Sequence, residues 1–280
     1  MRLYPYLQLM RLDKPIGILL LLWPTLWALW LANRGLPPLG LLLVFVLGVI
    51  LTRSAGCVIN DIADYEFDAQ IKRTQLRPLA AGVLSLNQAW ALFVVLGLLA
   101  ASLLLWVNTL TRWLALPAVV LLISYPFFKR ITHLPQLILG LAYSWGVPMA
   151  FAATLGYVPW HAWLWFAIAC LWPIAYDTFY AMADRPEDVN AGVKSLAILL
   201  GPRDLTVIAV LHSVMILLFI AAGLWYPLHW PYYVGVGAAV AMMSYLHYLA
   251  KDRTRARCFK AFRLSHWVGF LIWVGIVSAV

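Results

Sequence analysis

The chain has 280 residues, 64% of them hydrophobic and only 11% charged, with a formal net charge of +9. Soluble globular domains carry about 25% charged residues, so a water-soluble enzyme is excluded. Uninterrupted runs define the class: residues 15–33, 35–52, 131–176, 205–250 and 264–280 contain no Asp, Glu, Lys or Arg. A spanning helix takes about 20 mostly apolar residues, so the two longest runs each hold two helices and a turn. A membrane β-barrel would alternate in polarity instead. With two further uncharged apolar stretches at 84–106 and 113–127, these runs predict an all-α membrane protein of nine transmembrane helices, N-terminus cytoplasmic, with residues 1–280 forming one domain.

In chain order, residues 1–14 predict a short amphipathic approach to the membrane, with Tyr4, Tyr6 and Leu9 apolar and Arg2, Arg11 and Lys14 basic. The first span, 15–32, lacks a small-residue cleavage site and reads as retained rather than as a signal peptide. Asn33-Arg34-Gly35 and Pro37-Pro38 make the outer turn before the second span, 39–60. A first large loop, 61–82, precedes spans at 84–106, 113–127, 136–154 and 160–176. A second large loop, 177–204, precedes spans at 205–224, 232–249 and 262–280. Residues 251–263 read as a basic loop against anionic headgroups. With this topology 17 of the 20 Lys and Arg residues fall on the cytoplasmic side, the positive-inside bias. The basic balance is thus topology and predicts no nucleic-acid partner. Cys57, Cys170 and Cys258 are scattered, and the six His residues show no metal-type pairing.

Eight of the eleven acidic residues gather in two clusters. Asn60, Asp64 and Asp68 are spaced i, i+4, i+8 and share a helix face, as do Tyr176, Tyr180, Asp184 and Asp188. Carboxylates stacked this way repel one another unless a cation compensates them. Mg²⁺ is a hard cation held by one or two carboxylates together with substrate phosphates. Lys72, Arg73 and Arg77 follow the first cluster and would face the remaining phosphate oxygens. Two such clusters facing one another make a pocket for a Mg²⁺-bridged diphosphate, and a pocket open to the bilayer suits a lipid tail. Arg53 lies two helical turns before Asn60, roughly 10 Å deeper. An intramembrane Arg faces a protein interior or cavity, as a substrate ligand or as an inter-helix or snorkelling residue. Tyr125 and Lys129 read equally as interfacial anchors or as site residues. A transporter is the rival class, but it would spread polar groups at mid-depth over several spans, whereas here Arg53 stands as the charged one.

Asn60-Asp61-x-x-Asp64-x-x-x-Asp68, continued by Lys72-Arg73-Thr74-x-x-Arg77-Pro78-Leu79-Ala80-x-Gly82, resembles the first signature of the UbiA superfamily of membrane prenyltransferases. Asp177-Thr178-x-Tyr180-Ala181-x-x-Asp184-x-x-x-Asp188 is similar to its second. Tyr125-Pro126-Phe127-x-Lys129-Arg130 and Arg11-Leu12-Asp13-Lys14-Pro15-Ile16-Gly17 resemble the branch that prenylates 4-hydroxybenzoate. The likeness runs from Arg11 through Ser195, with a departure at Arg185-Pro186-Glu187, where the family usually has acidic residues and no proline.

The resemblance implies Mg²⁺ held by Asn60, Asp64, Asp68, Asp184 and Asp188, with Asp64, Asp184 and Arg130 catalytic. It implies that Lys72, Arg73, Arg77, Lys129 and Lys194, helped by Tyr125 and Tyr180, bind a polyprenyl diphosphate, and that Arg53 holds the carboxylate of 4-hydroxybenzoate. It also implies a bacterial inner-membrane protein whose site faces the cytoplasm. Relatives that use dihydroxynaphthoate, homogentisate or haem remain the alternatives.

Overall fold

A computed structural model describes residues 3–68, 74–190, 192 and 194–280, and the side chains among them other than those of Phe67, Lys129 and Arg130. Fourteen α-helices occur among the described residues: α1 (Tyr4–Leu9), α2 (Ile16–Asn33), α3 (Leu39–Ala63), α4 (Tyr65–Asp68), α5 (Leu86–Leu103), α6 (Thr109–Ile131), α7 (Pro135–Ser144), α8 (Gly146–Leu155), α9 (Trp160–Asn190), α10 (Leu196–Leu200), α11 (Asp204–Trp225), α12 (Trp230–Ala250), α13 (Arg255–Leu264) and α14 (His266–Val277). Nine helical stretches among the described residues are long and apolar enough to cross a membrane. The protein is an integral, multi-pass membrane protein.

Helices α2 and α9 form the centre. Trp27 is fully buried; it stacks on Trp172 at 5.7 Å and donates Nε1–H to the Gly269 carbonyl at 2.9 Å. Truncating so large a buried side chain costs about 3–5 kcal/mol. Hydrocarbon supplies no hydrophobic drive between helices, so close backbone approach carries the packing. The α12–α14 crossing shows this: a Cβ on Gly235 would come within 2.8 Å of the Gly275 Cα. On the periphery, α5 and α6 turn much of their apolar surface outward. Helix α5 opens on a capping box of Ser85 and Gln88, and the Asn108 side chain caps α6 while tying it to Ala152 of α8.

Three boundaries depart from the sequence expectation. The fifth span is broken, with α7 ending at Ser144 and α8 beginning at Gly146. Pro148 has no N–H to offer the Ser144 carbonyl, so the ladder stops there. The Trp145 indole ties the break to α6 by donating Nε1–H to the Leu114 carbonyl at 2.7 Å. The sixth span does not end at Tyr176: α9 continues through the second acidic cluster to Asn190. Burial of Ala181, Met182 and Ala183 carries it beyond the apolar run. The ninth span is also broken, because Ser265 Oγ bonds back to the Ala261 carbonyl at 2.9 Å and bends the chain. The expected basic loop is therefore largely helix α13. It packs on α9, and its arginines meet protein carboxylates, Arg255 on Glu187 and Arg257 on Asp252.

Candidate active site

A cavity of about 720 Å³ opens between α2, α3, α5, α6, α7, α8, α9 and α13. Its apolar part is lined by residues such as Phe45, Leu103 and Leu122, and its polar end by Asn60, Asp61, Arg77, Asp177 and Tyr180.

The first acidic cluster stays stacked although α3 formally ends at Ala63. Asp64 N–H bonds the Asn60 carbonyl at 3.0 Å and Asp68 N–H the Asp64 carbonyl at 2.8 Å, so the i, i+4, i+8 spacing survives. Asn60 Nδ2 donates to Asp64 Oδ2 at 3.3 Å. Asp64 and Asp68 are buried. Asp61, to which the sequence assigned no role, is an organiser. It accepts from Arg11 Nη2 at 2.9 Å and 3.0 Å and from Arg77 at 3.1 Å, while Arg77 also reaches Asp68 at 2.5 Å. Burial would lower the Arg77 pKa, but Asp61 and Asp68 outweigh it and raise the value above the ordinary arginine level, so the charge is permanent. Lys72 and Arg73 lie outside the described residues, as do the side chains of Lys129 and Arg130.

The second cluster is built on α9. Asp177 Oδ2 accepts from Gln136 Nε2 of α7 at 3.1 Å, and Gln136 Oε1 accepts the Leu196 N–H at 3.3 Å. Arg255 of α13 grips Glu187 with both terminal nitrogens, at 2.6 Å and 3.3 Å, and lies 3.8 Å from Asp184. Phe262 meets the Tyr180 ring edge-on at 5.0 Å. The departure at Arg185 is explained by its direction: Arg185 pairs with the buried Asp204, which Arg253 also binds, at 3.0 Å. Lys194, expected at the substrate, instead bonds the Ile131 carbonyl at 3.1 Å and ties the segment after α9 to the end of α6. Asp188 is half-buried beyond Asp184 on the same helix.

Below the acids, Arg53 lines the cavity with Tyr125, Tyr143 and Tyr176. Its Nη1 bonds Cys57 Sγ at 2.8 Å and its guanidinium lies 5.8 Å from the Tyr143 ring centre. Arg53 Nε and Tyr176 Oη are both shielded from solvent and without a hydrogen-bond partner. Buried polar atoms are normally satisfied, so two such atoms on residues lining one cavity point to a polar ligand.

The donors near the cavity's polar end are carboxylate and amide oxygens, the chemistry Mg²⁺ prefers. Among the described residues no three His, Cys, Asp or Glu side chains close into a cage. That also fits Mg²⁺, which takes few protein ligands and completes its shell with phosphate and water.

Sequence reasoning missed Tyr143, Gln136 and the whole of α13. A signal for α13 existed: Arg255, Phe259 and Phe262 fall on one helical face within the basic segment.

A helical membrane bundle with an oxygen-rich polar end over a lipid-sized cavity is the build of a membrane enzyme acting on a substrate that is charged at one end and apolar along the rest. The model of the UbiA prenyltransferase family matches residues 21–273, and the chain belongs to that family of membrane prenyltransferases. A 4-hydroxybenzoate octaprenyltransferase of Coxiella burnetii is 50% identical over 272 residues, 97% of this chain and 95% of the relative. Another, from Alcanivorax borkumensis, is 51% identical over 274 residues, covering 98% and 94%. Among solved structures, the apo UbiA homologue of Aeropyrum pernix K1 aligns with TM-score 0.80 at 28% identity, covering 94% of this chain and 97% of that one. An Archaeoglobus fulgidus UbiA homologue, solved with GPP and Mg²⁺, shares the fold with TM-score 0.74 at 17% identity, covering 98% and 100%.

Proposed function

We propose that the protein transfers a polyprenyl group from polyprenyl diphosphate to the ring carbon ortho to the hydroxyl of 4-hydroxybenzoate, releasing diphosphate, an early step of ubiquinone biosynthesis. The whole chain acts as one unit, in the bacterial inner membrane, with the acidic end of the cavity toward the cytoplasm. The names of the relatives at about half identity support the acceptor. The observation that carries the reading is the vertical order within one cavity: oxygen donors at the polar end, the underbonded Arg53 below them, and apolar wall beyond.

In this reading Asn60, Asp64 and Asp68 would hold Mg²⁺ from one side and Asp184 and Asp188 from the other. When bound, the ion supplies positive charge against the diphosphate. Arg77, and with it Lys72, Arg73, Lys129 and Arg130, adds fixed positive charge where the leaving group's negative charge grows. Tyr125 and Tyr180 border the same space and orient the donor. Arg53 grips the benzoate carboxylate and so sets which ring carbon meets the allylic carbon. The allylic C–O bond breaks with its electron pair leaving on the diphosphate, the ring carbon bonds the allylic carbon, and the ring then loses its proton. The apolar wall excludes water, which would otherwise divert the prenyl group to an alcohol.

The test is a vesicle assay with polyprenyl diphosphate, Mg²⁺ and a panel of aromatic acceptors, with products identified by mass spectrometry. Prenylated 4-hydroxybenzoate is the expected product. Turnover of dihydroxynaphthoate, homogentisate or haem in its place would overturn the acceptor assignment.

A further inference from the structure

The opening segment Arg11–Gly17 stands outside the acidic clusters, yet it touches α3 at two heights. Arg11 holds Asp61, and Gly17, in the first turn of α2, lies against Arg53. A Cβ added to Gly17 would come within 2.5 Å of Arg53 Nε, 2.6 Å of Nη2 and 2.9 Å of Cζ. Cβ atoms essentially never sit that close to another heavy atom, so any side chain here would displace the guanidinium. Nothing in the backbone asks for glycine, because Gly17 is absent from the positive-φ residues. Within a helix glycine is disfavoured against alanine by about 0.5–1 kcal/mol. Among the other cavity-lining glycines, Gly48, Gly56 and Gly97 leave an added Cβ nothing nearer than 3.9 Å, and one on Gly146 closes on the Thr25 hydroxyl, so Gly17 is the one that lies against a charged group.

We infer that Gly17 is a positioning residue for the acceptor: its missing side chain is the slot in which the Arg53 guanidinium lies, and this slot sets where the carboxylate of an aromatic acid is held. The inference rests on Arg53 as the carboxylate ligand, and it adds how Arg53 is aimed. Arg53 is otherwise tethered by the Cys57 thiol on its own helix and by the Tyr143 ring. Both leave Nε without a partner. A bidentate guanidinium–carboxylate pair tolerates little misplacement, so a methyl group that tilts the plane removes the pair without removing the charge.

The experiment is a double-mutant cycle on the full chain in vesicles with Mg²⁺ and saturating polyprenyl diphosphate: wild type, Gly17→Ala, Arg53→Ala and both together. Gly17→Ala should raise KM for 4-hydroxybenzoate by about ten- to a hundredfold, the size of a lost charge-assisted contact. KM for the donor should stay within about a factor of two, because that contact lies elsewhere. In the Arg53→Ala background the same substitution should change KM for 4-hydroxybenzoate no further. An equal loss in both backgrounds would make Gly17 merely structural and overturn the inference, as would an unchanged KM in Gly17→Ala beside a raised one in Arg53→Ala. If Arg53→Ala alone leaves the acid's KM unchanged, the acceptor role of Arg53 fails, and the inference fails with it. Should Gly17→Ala not insert, the double variant, with the obstructing guanidinium gone, must restore folding; failure there also overturns the inference.

Discussion

Arg255 lies 3.8 Å from Asp184, delivered by a helix that follows the eighth span and held in place by a two-pronged bond to Glu187. A cation from the last third of the chain thus sits beside a carboxylate we assign to metal binding. Half of the Arg255 side chain is exposed, so the pair adds at most about 1 kcal/mol to stability. Its consequence is electrostatic. Arg255→Gln should lower the Mg²⁺ concentration for half-maximal turnover by a few-fold, because a positive charge opposing the ion is removed. A Mg²⁺ titration at saturating donor measures it, and an unchanged midpoint would argue that Arg255 has no bearing on Asp184.

Asp64→Ala and Asp184→Ala should each abolish most activity while the protein still inserts, and chelation of divalent cations should stop turnover of the wild type. The two ligands act as a unit, so the double variant should be little worse than either single one. Rates for the four proteins decide it. Full activity in either single variant removes the two-cluster site.

Arg53→Lys keeps the charge and loses the planar fork that matches a carboxylate. It should reduce kcat/KM for 4-hydroxybenzoate by on the order of 1.5–3 kcal/mol, or ten- to a hundredfold. The dependence on polyprenyl diphosphate should change much less, since Arg77 lies with the acidic residues at the cavity's polar end. A rise confined to KM for the donor would move Arg53 to the diphosphate site.

Asp204 is fully buried and joins the end of α9, through Arg185, to the entry of α13, through Arg253. Asp204→Ala strands two arginines that are each partly shielded, at a cost of about 1–3 kcal/mol. The melting temperature in detergent should fall. Loosening α13 should also raise KM for the donor more than KM for the acid. A variant with wild-type melting would deny Asp204 this bracing role.

Reporter fusions after Gly82, Pro135 and Gly201 should read as cytoplasmic, and fusions near Pro37, Thr109, Pro159 and Pro227 as the opposite side. The concentration of 17 of 20 basic residues on one set of loops motivates this orientation. A cytoplasmic signal at Val280 would mean that the number of membrane crossings is even.

Some features needed nothing beyond the order of residues. Lipid cannot satisfy backbone polar groups, so every crossing must be a long apolar helix, and the uncharged runs announce nine of them. The acidic clusters were legible for a similar reason: carboxylates are so costly beside hydrocarbon that their i, i+4, i+8 spacing stands out. Other features came only with the tertiary structure. That α9 runs on to Asn190 depends on burial of Ala181–Ala183, and residues 177–190 taken alone look like a polar loop. The breaks at Trp145 and Ser265 depend on one missing N–H and one back-bonded hydroxyl. Arg255 and Asp184, like Gly17 and Arg53, become neighbours only once separate helices cross. Local sequence encodes which face of a helix is apolar or charged; which distant residue that face will meet is decided by packing.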